Sequence, residues 1–481
     1  MKFNYGKIFL LGFGFFGVSV IWGVYNAFVP IFLAERFHLE PAFIGFFMTL
    51  DNIAALFIQP PVGAWSDRLR TKIGRRMPFI LIGAPVAALV FGLIPLAAVL
   101  PIFVACTTTL ILSMAFWRTP VVALMPDITP SPKRSQANGI INFMGGIGAI
   151  ISFLGGSALY KMNPAFPFWL GSGLVLVAAL LVFLFIKEPK EYEIQQEESQ
   201  NTFAGFFDFL KQNRALMFIV LVLILGFGFG ITLGWPEART IGADLGIPPY
   251  VGLGVVLVLI WFVGFYAYYM AREPIQAHDK SALRLLLAIF AWFVGYNAIE
   301  AFFTLYAVNH LGMNEADGAR LLGHLSLLFV LFALVSGFIG GKIGRRRTIM
   351  AGILLLGTLI AAMYFLPVEI LTTQLTRLPV LGTIPVISLF LMMAGVAWAL
   401  ININSLPMVV DMVEDSRIGT YTGLYYLFST LAAIAGPNIN GWIVQLTGKD
   451  YNNIMIVAPL FMLIALILMW GVRRGEAKKA V

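Results

Sequence analysis

Fourteen separate runs of about twenty apolar residues, each nearly free of Asp, Glu, Lys and Arg, decide what this chain can become. A bilayer core about 30 Å thick takes roughly 20 residues of helix. Inside it every backbone polar group must be satisfied within the chain. The runs cover 8–34, 41–65, 78–98, 101–125, 136–160, 166–187, 213–234, 249–270, 284–309, 317–341, 348–367, 384–408, 418–445 and 452–472. They are continuous rather than alternating, which excludes a β-barrel. The first is too long for a signal-peptide core and no small-residue cleavage pattern follows it, so it reads as a retained span. A composition of 59% hydrophobic and 12% charged residues excludes a soluble enzyme. The reading is therefore an all-α, multi-pass membrane protein with fourteen transmembrane helices.

The charges sit between the runs. Of the 32 Lys and Arg, 25 fall in loops on one side, 6 on the other, and Arg118 lies within a run. This bias predicts that both termini are cytoplasmic in a cell membrane. The net charge of +8 is thus a topology and lipid signal, and no nucleic-acid partner is expected. Cys106 is the one cysteine, in apolar surroundings, so neither a disulfide nor a metal thiolate is expected. No zinc-ligand, serine-elbow or phosphate-loop pattern is present, and neither a cofactor nor enzymatic activity is anticipated.

The chain carries an internal repeat. Gly63 and Asp67-Arg68 lead to Gly74-Arg75-Arg76; Gly337 to Lys342 leads to Gly344-Arg345-Arg346. A second pair sets Asp127, Arg134 and Asn138-Gly139 against Asp411, Arg417 and Thr422-Gly423. Each copy places its Gly-Arg-Arg loop between the second and third spans of a six-span bundle. This gives a bundle at 1–187, a polar cytoplasmic linker at 188–212, an inserted pair of spans within 213–283, and a second bundle at 284–481. Parallel repeats related by an axis along the membrane normal are an architecture of secondary transporters that bind substrate between the halves. In the loops, glycine permits sharp turns, and the arginines either latch onto helix-end acids or anchor to anionic head groups.

On these residues the chain resembles the major facilitator superfamily, whose loop signature is Gly-xxx-Asp-Arg-x-Gly-Arg-Arg. The second copy keeps that spacing with Gly341 in the acid's place. The first is stretched, Asp67-Arg-Leu-Arg-Thr-Lys-Ile-Gly74-Arg75-Arg76, and is followed by Pro78-Phe-Ile-Leu-Ile-Gly. That form, with Arg118-Thr-Pro-Val-Val-Ala-Leu-Met-Pro-Asp127, is similar to the sucrose-transporter and glycoside-pentoside-hexuronide branch. The resemblance implies two six-helix bundles, alternating access, and sugar or glycoside transport driven by a proton or sodium gradient. It also implies a cavity lined by 8–34, 101–125, 284–309 and 384–408.

Three charges lie well inside runs: Asp51, Arg118 and Glu300. An ionised group at such depth costs several kcal/mol unless it faces water or a partner, which makes all three functional candidates. The Arg118 guanidinium offers a planar fork of donors suited to vicinal hydroxyls or a carboxylate, and it keeps its proton. Glu300 and Asp51 are the two candidates to carry a proton, and the sequence leaves the choice between them open. Trp22, Tyr25, Asn26, Tyr296, Asn297, Trp398 and Asn402 supply the amides and aromatic faces that sugars bind. The functional expectation is a monomeric proton-coupled symporter of a disaccharide or glycoside. A sodium-coupled symporter and a drug or metabolite exporter are the alternatives.

Overall fold

The computed structural model describes residues 5–129, 134–188, 230, 236–254, 257, 274–379, 381–413 and 418–476. Eleven helices among the described residues are long and apolar enough to cross a membrane. The first half holds α1 (Tyr5–Ile31), α2 (Pro41–Phe47), α3 (Leu50–Arg68), α4 (Met77–Leu93), α5 (Leu100–Ile128), α6 (Arg134–Ile150), α7 (Gly156–Tyr160) and α8 (Phe166–Phe185). After the short α9 (Pro236–Asp244) come α10 (Ser281–Asn309), α11 (Glu315–Ile343), α12 (Arg345–Phe365) and α13 (Val368–Thr372). The chain ends with α14 (Val386–Val410), α15 (Ile418–Leu446) and α16 (Ile454–Trp470). Most of the linker and of the inserted pair, expected at 188–212 and 213–283, lies outside the described residues.

The expected run 41–65 is two helices rather than one. α2 ends at Phe47, and Met48 closes a tight turn whose amide reaches the Ile44 and Phe46 carbonyls. The Thr49 hydroxyl donates to Phe46 O at 2.6 Å. The break puts Asp51 in the first turn of α3, where unpaired amides and the helix dipole favour a carboxylate. A second departure from a purely helical reading is a hairpin, β1 (Gln374–Leu378) antiparallel to β2 (Gly382–Pro385). Buried His324 bonds Ser388 Oγ at 2.9 Å and the Leu381 carbonyl at 3.0 Å, tying this hairpin to α11.

The chain divides into two compact units: Met1–Tyr25 with Ile53–Leu223, and Asn26–Asn52 with Ile224–Val481. In lipid the hydrophobic effect does not drive helix against helix, so small residues and interhelical hydrogen bonds carry the packing. The first unit follows this rule. Ser152, on a π-helical turn at Ile151–Gly155, donates to Val20 O at 3.0 Å. Ser172 of α8 donates to Ala88 O of α4 at 2.7 Å, and Trp117 is fully buried between its neighbours.

In the second unit a side-chain carbon at Gly436 would stand 2.6 Å from Val294 O, so only glycine lets α15 lie this close to α10. Asn440 reinforces the seam with 2.7 Å to Ala298 O. Ser336 and Asn404 join α11 to α14, at 2.8 Å from Ser336 Oγ to Ala399 O and 3.0 Å from Asn404 Nδ2 to Ser336 Oγ. Within the same unit, α2 packs on α15, with the Ala42 amide on Gln445 Oε1 at 3.2 Å and Lys449 paired with Glu40 at 3.3 Å.

Candidate functional site

The polar centre of the second unit is built from three chain segments. Glu300 lies half-buried toward the middle of α10, and Asn26, near the end of α1, donates a side-chain hydrogen bond to it. Asp51 is near enough for its charge to repel that of Glu300. The Asp51 carboxylate also accepts from Asn52 Nδ2 at 2.9 Å. Two residues that sequence reading treats as rival proton carriers therefore belong to one cluster, framed by two amides. In a low dielectric, neighbouring carboxylates resist ionising together.

A second group lies on α10 and α14. The Tyr296 and Trp398 rings stack at 3.9 Å between centroids with only 6° between planes. Phe293 meets Trp398 edge-on at 5.2 Å. One face of the Trp398 ring is covered by Tyr296 and the residue is only 5% exposed, so this tryptophan stiffens Tyr296 rather than offering an open platform. Asn297 turns back on its own helix, donating to Phe293 O at 2.7 Å. Asn402, half-buried on α14, makes no side-chain hydrogen bond with described residues, whereas Asn404 two positions on is spent on packing.

In the first unit, Trp22 and Tyr25 of α1 meet edge to face at 5.5 Å. Trp22 Nε1 is buried and has no hydrogen-bond partner among the described residues. Buried indole N–H groups normally find an acceptor, which marks this one as able to receive a ligand oxygen. Arg118 is half-buried on α5, next to the fully buried Trp117.

The Gly-Arg-Arg loops are also resolved. Gly74 has φ +121° and Gly344 φ +100°, values that L side chains rarely adopt. After Gly74, the amides of Arg75, Arg76 and Met77 converge on the Glu188 carboxylate at 2.9, 3.0 and 2.8 Å. After Gly344, the amides of Arg345 and Arg346 reach Glu476 at 2.7 and 3.2 Å. Arg76 is 4% exposed and donates to Ser66 Oγ at 2.7 Å. Arg345 pairs with Asp411 and donates to Pro407 O at 3.0 Å. Gly63 is half-buried on α3; the side chains of Asp67 and Arg68 lie outside the described residues.

The sequence profile of the Major Facilitator Superfamily matches residues 11–273 and 285–481. The chain belongs to the Major Facilitator Superfamily. Its described residues include eleven helices able to span a membrane, in keeping with a family of multi-pass transporters. Among curated relatives, Multidrug resistance protein 2 of Bacillus subtilis (strain 168) is 27% identical over 222 residues, 45% of this chain and 52% of that one. Sucrose transport protein SUC3 of Arabidopsis thaliana is 26% identical over 174 residues, 32% of this chain and 29% of that one. The lactose permease of Citrobacter freundii is 28% identical over 187 residues, 38% of this chain and 44% of that one. The chain thus spans between about a third and a half of the length of these relatives. Among solved structures, the peptide transporter POT in complex with sulfate superposes with a TM-score of 0.68 at 14% identity, covering 98% of this chain and 95% of that one. A bacterial homologue of the human lysosomal transporter Spinster gives 0.64 at 14% identity with full coverage of both. At such identity the likeness is one of fold.

For this superfamily member, sequence reading passed over Glu188 and Glu476. Both stand just beyond the end of a membrane-length helix, α8 or α16, so their shared position relative to the Gly-Arg-Arg triplets was the available signal.

Proposed function

We propose that this transporter is a proton-coupled symporter of a disaccharide or glycoside, working as a monomer by alternating access with both termini cytoplasmic. The reading rests on the convergence of Asn26, Asp51 and Glu300 in one compact unit. A carboxyl pair framed by amides holds a proton at low cost and releases it when one carboxylate is drawn to another partner. Glu300 carries the proton, Asp51 lowers the cost of its protonation, and Asn26 orients it. Arg118, Trp22, Tyr25, Asn26, Tyr296, Asn297 and Asn402 bind the sugar hydroxyls and ring face, with Trp398 backing Tyr296. The sucrose transport protein and lactose permease among the relatives support a sugar. A drug exporter is the second reading, because Multidrug resistance protein 2 matches a larger share of the chain than either sugar-transporter relative.

The test is sugar-induced pH change in weakly buffered cells that express the protein, one disaccharide or glycoside at a time. Transient alkalinisation is expected with a sugar substrate. Glu300→Gln should then abolish gradient-driven accumulation, at least tenfold, while sparing sugar counterflow. Accumulation that persists in this variant removes Glu300 as the carrier. Sodium-dependent uptake without alkalinisation replaces the proton, and resistance to toxic cations without sugar uptake favours export.

A further inference from the structure

We propose that the groove between the start of α10 and the end of α16 is a binding site for one anionic phospholipid, its phosphodiester held by Arg284 and Arg473. The groove has a volume of about 520 Å³ and is lined by Arg284, Leu466, Ile467, Leu468, Trp470 and Gly471. It lies on the membrane side that holds the Gly-Arg-Arg loop of the second half, since Arg346 of that loop bonds the end of α16 directly.

The end of a helix presents bare carbonyls, which repel a phosphate. Here two arginines cover them. Arg346 donates from Nε to Met469 O at 3.1 Å and from Nη2 to Trp470 O at 2.6 Å. Arg284 donates from Nη1 to Gly471 O at 2.9 Å. The Arg284 guanidinium keeps most of its five donors for another oxyanion, and a planar fork fits a phosphodiester bidentately. Arg473 is exposed, and its backbone amide donates to Ser281 Oγ at 3.2 Å, which holds it at the start of α10 beside the groove. The neighbouring acids are turned to other partners. Asp279 is paired with Arg474, and Glu476 accepts the Arg345 and Arg346 amides.

The walls choose a lipid over free phosphate. Ile467 is 66% exposed and Trp470 73%, and Leu463 and Leu460 continue an exposed apolar stripe along α16. A tryptophan at a helix end is at home at the level of the head groups. Acyl chains would lie along this stripe with the phosphate at the arginines. This site is separate from the transport residues and stands or falls independently of the sugar.

Brominated acyl chains quench tryptophan on contact, so the probe is full-length protein in mixed bilayers of phosphatidylglycerol and phosphatidylcholine. Bromine is placed on one lipid or the other at equal mole fraction. The Trp470 signal is the difference between the native protein and Trp470→Phe. Brominated phosphatidylglycerol should quench that signal with about a fivefold preference per arginine over brominated phosphatidylcholine. Arg284→Gln with Arg473→Gln should erase the preference, while Arg284→Lys with Arg473→Lys should retain part of it. Equal quenching by the two lipids in the native protein overturns the site. So does a preference unchanged by the glutamine pair, or one abolished by millimolar inorganic phosphate.

Discussion

The two Gly-Arg-Arg loops use one backbone device and different side-chain partners. In each, a glycine with positive φ turns the chain so that successive amides at a helix start face a single carboxylate from beyond the last helix of that half. The first loop gives Glu188 three amides and sends Arg76 into the protein against Ser66. The second gives Glu476 two amides, and its arginines reach outward to Asp411 and the end of α16. The backbone therefore sets the turn, while the arginines are free to be deployed differently. Among these arginines, Arg76 and Arg345 take partners within the protein and Arg346 covers carbonyls at the end of α16.

The sharpest way to break this comparison is to neutralise the carboxylates. Hydrogen bonds to a charged group contribute about 1.5–3 kcal/mol each in favourable sites and less when exposed. Glu188 is half-buried and Glu476 exposed. Glu188→Gln should therefore destabilise the purified protein by about 2 kcal/mol and Glu476→Gln by about half as much, read from thermal unfolding in detergent. Equal losses would mean that amide number and burial do not matter. A smaller effect separates the arginines. A double-mutant cycle of Arg345→Gln and Asp411→Asn should give a coupling of about 0.5–1 kcal/mol, as for a partly exposed pair. A coupling of zero would make Arg345 an anchor and remove its difference from a solvated charge.

The smallest effect concerns an acid near the second loop. The Ser281 amide and hydroxyl, and then Arg474, hold the Asp279 carboxyl below its ordinary range. A depressed folded value means stability that is present above the unfolded value of about 3.9 and lost as pH falls through the folded one. Below about pH 4 the native protein should lose thermal midpoint more steeply than Asp279→Asn, by a small margin because the group is exposed. Parallel pH profiles would show that Asp279 adds nothing.

The spans were legible because run length is a local signal. The run 284–309 became Ser281–Asn309 and 166–187 became Phe166–Phe185. The break at Met48–Thr49 was not legible, since no Gly or Pro marks it and only the helix-end hydrogen bonds reveal it. Nor were Glu188 and Glu476, whose partner amides lie more than a hundred residues away in polar segments of ordinary appearance. Asn402 and Asn404 show the limit within one helix. Two steps of about 100° turn them to nearly opposite sides. One is bound into the α11 contact and the other makes no side-chain hydrogen bond with the described residues, although both are asparagines on one helix. Asp51, Arg118 and Glu300 stood out as candidates from cost alone, but that Asp51 and Glu300 form one cluster is long-range information.

The boundary between the compact units cuts the chain between Tyr25 and Asn26, and again between Asn52 and Ile53. Asn26 and Asn52, whose amides bond Glu300 and Asp51, thus stand at two of the three places where the polypeptide passes from one unit to the other. Under the proposed function, a proton taken up at Glu300 or Asp51 would change hydrogen bonds made by the side chains that flank these crossings.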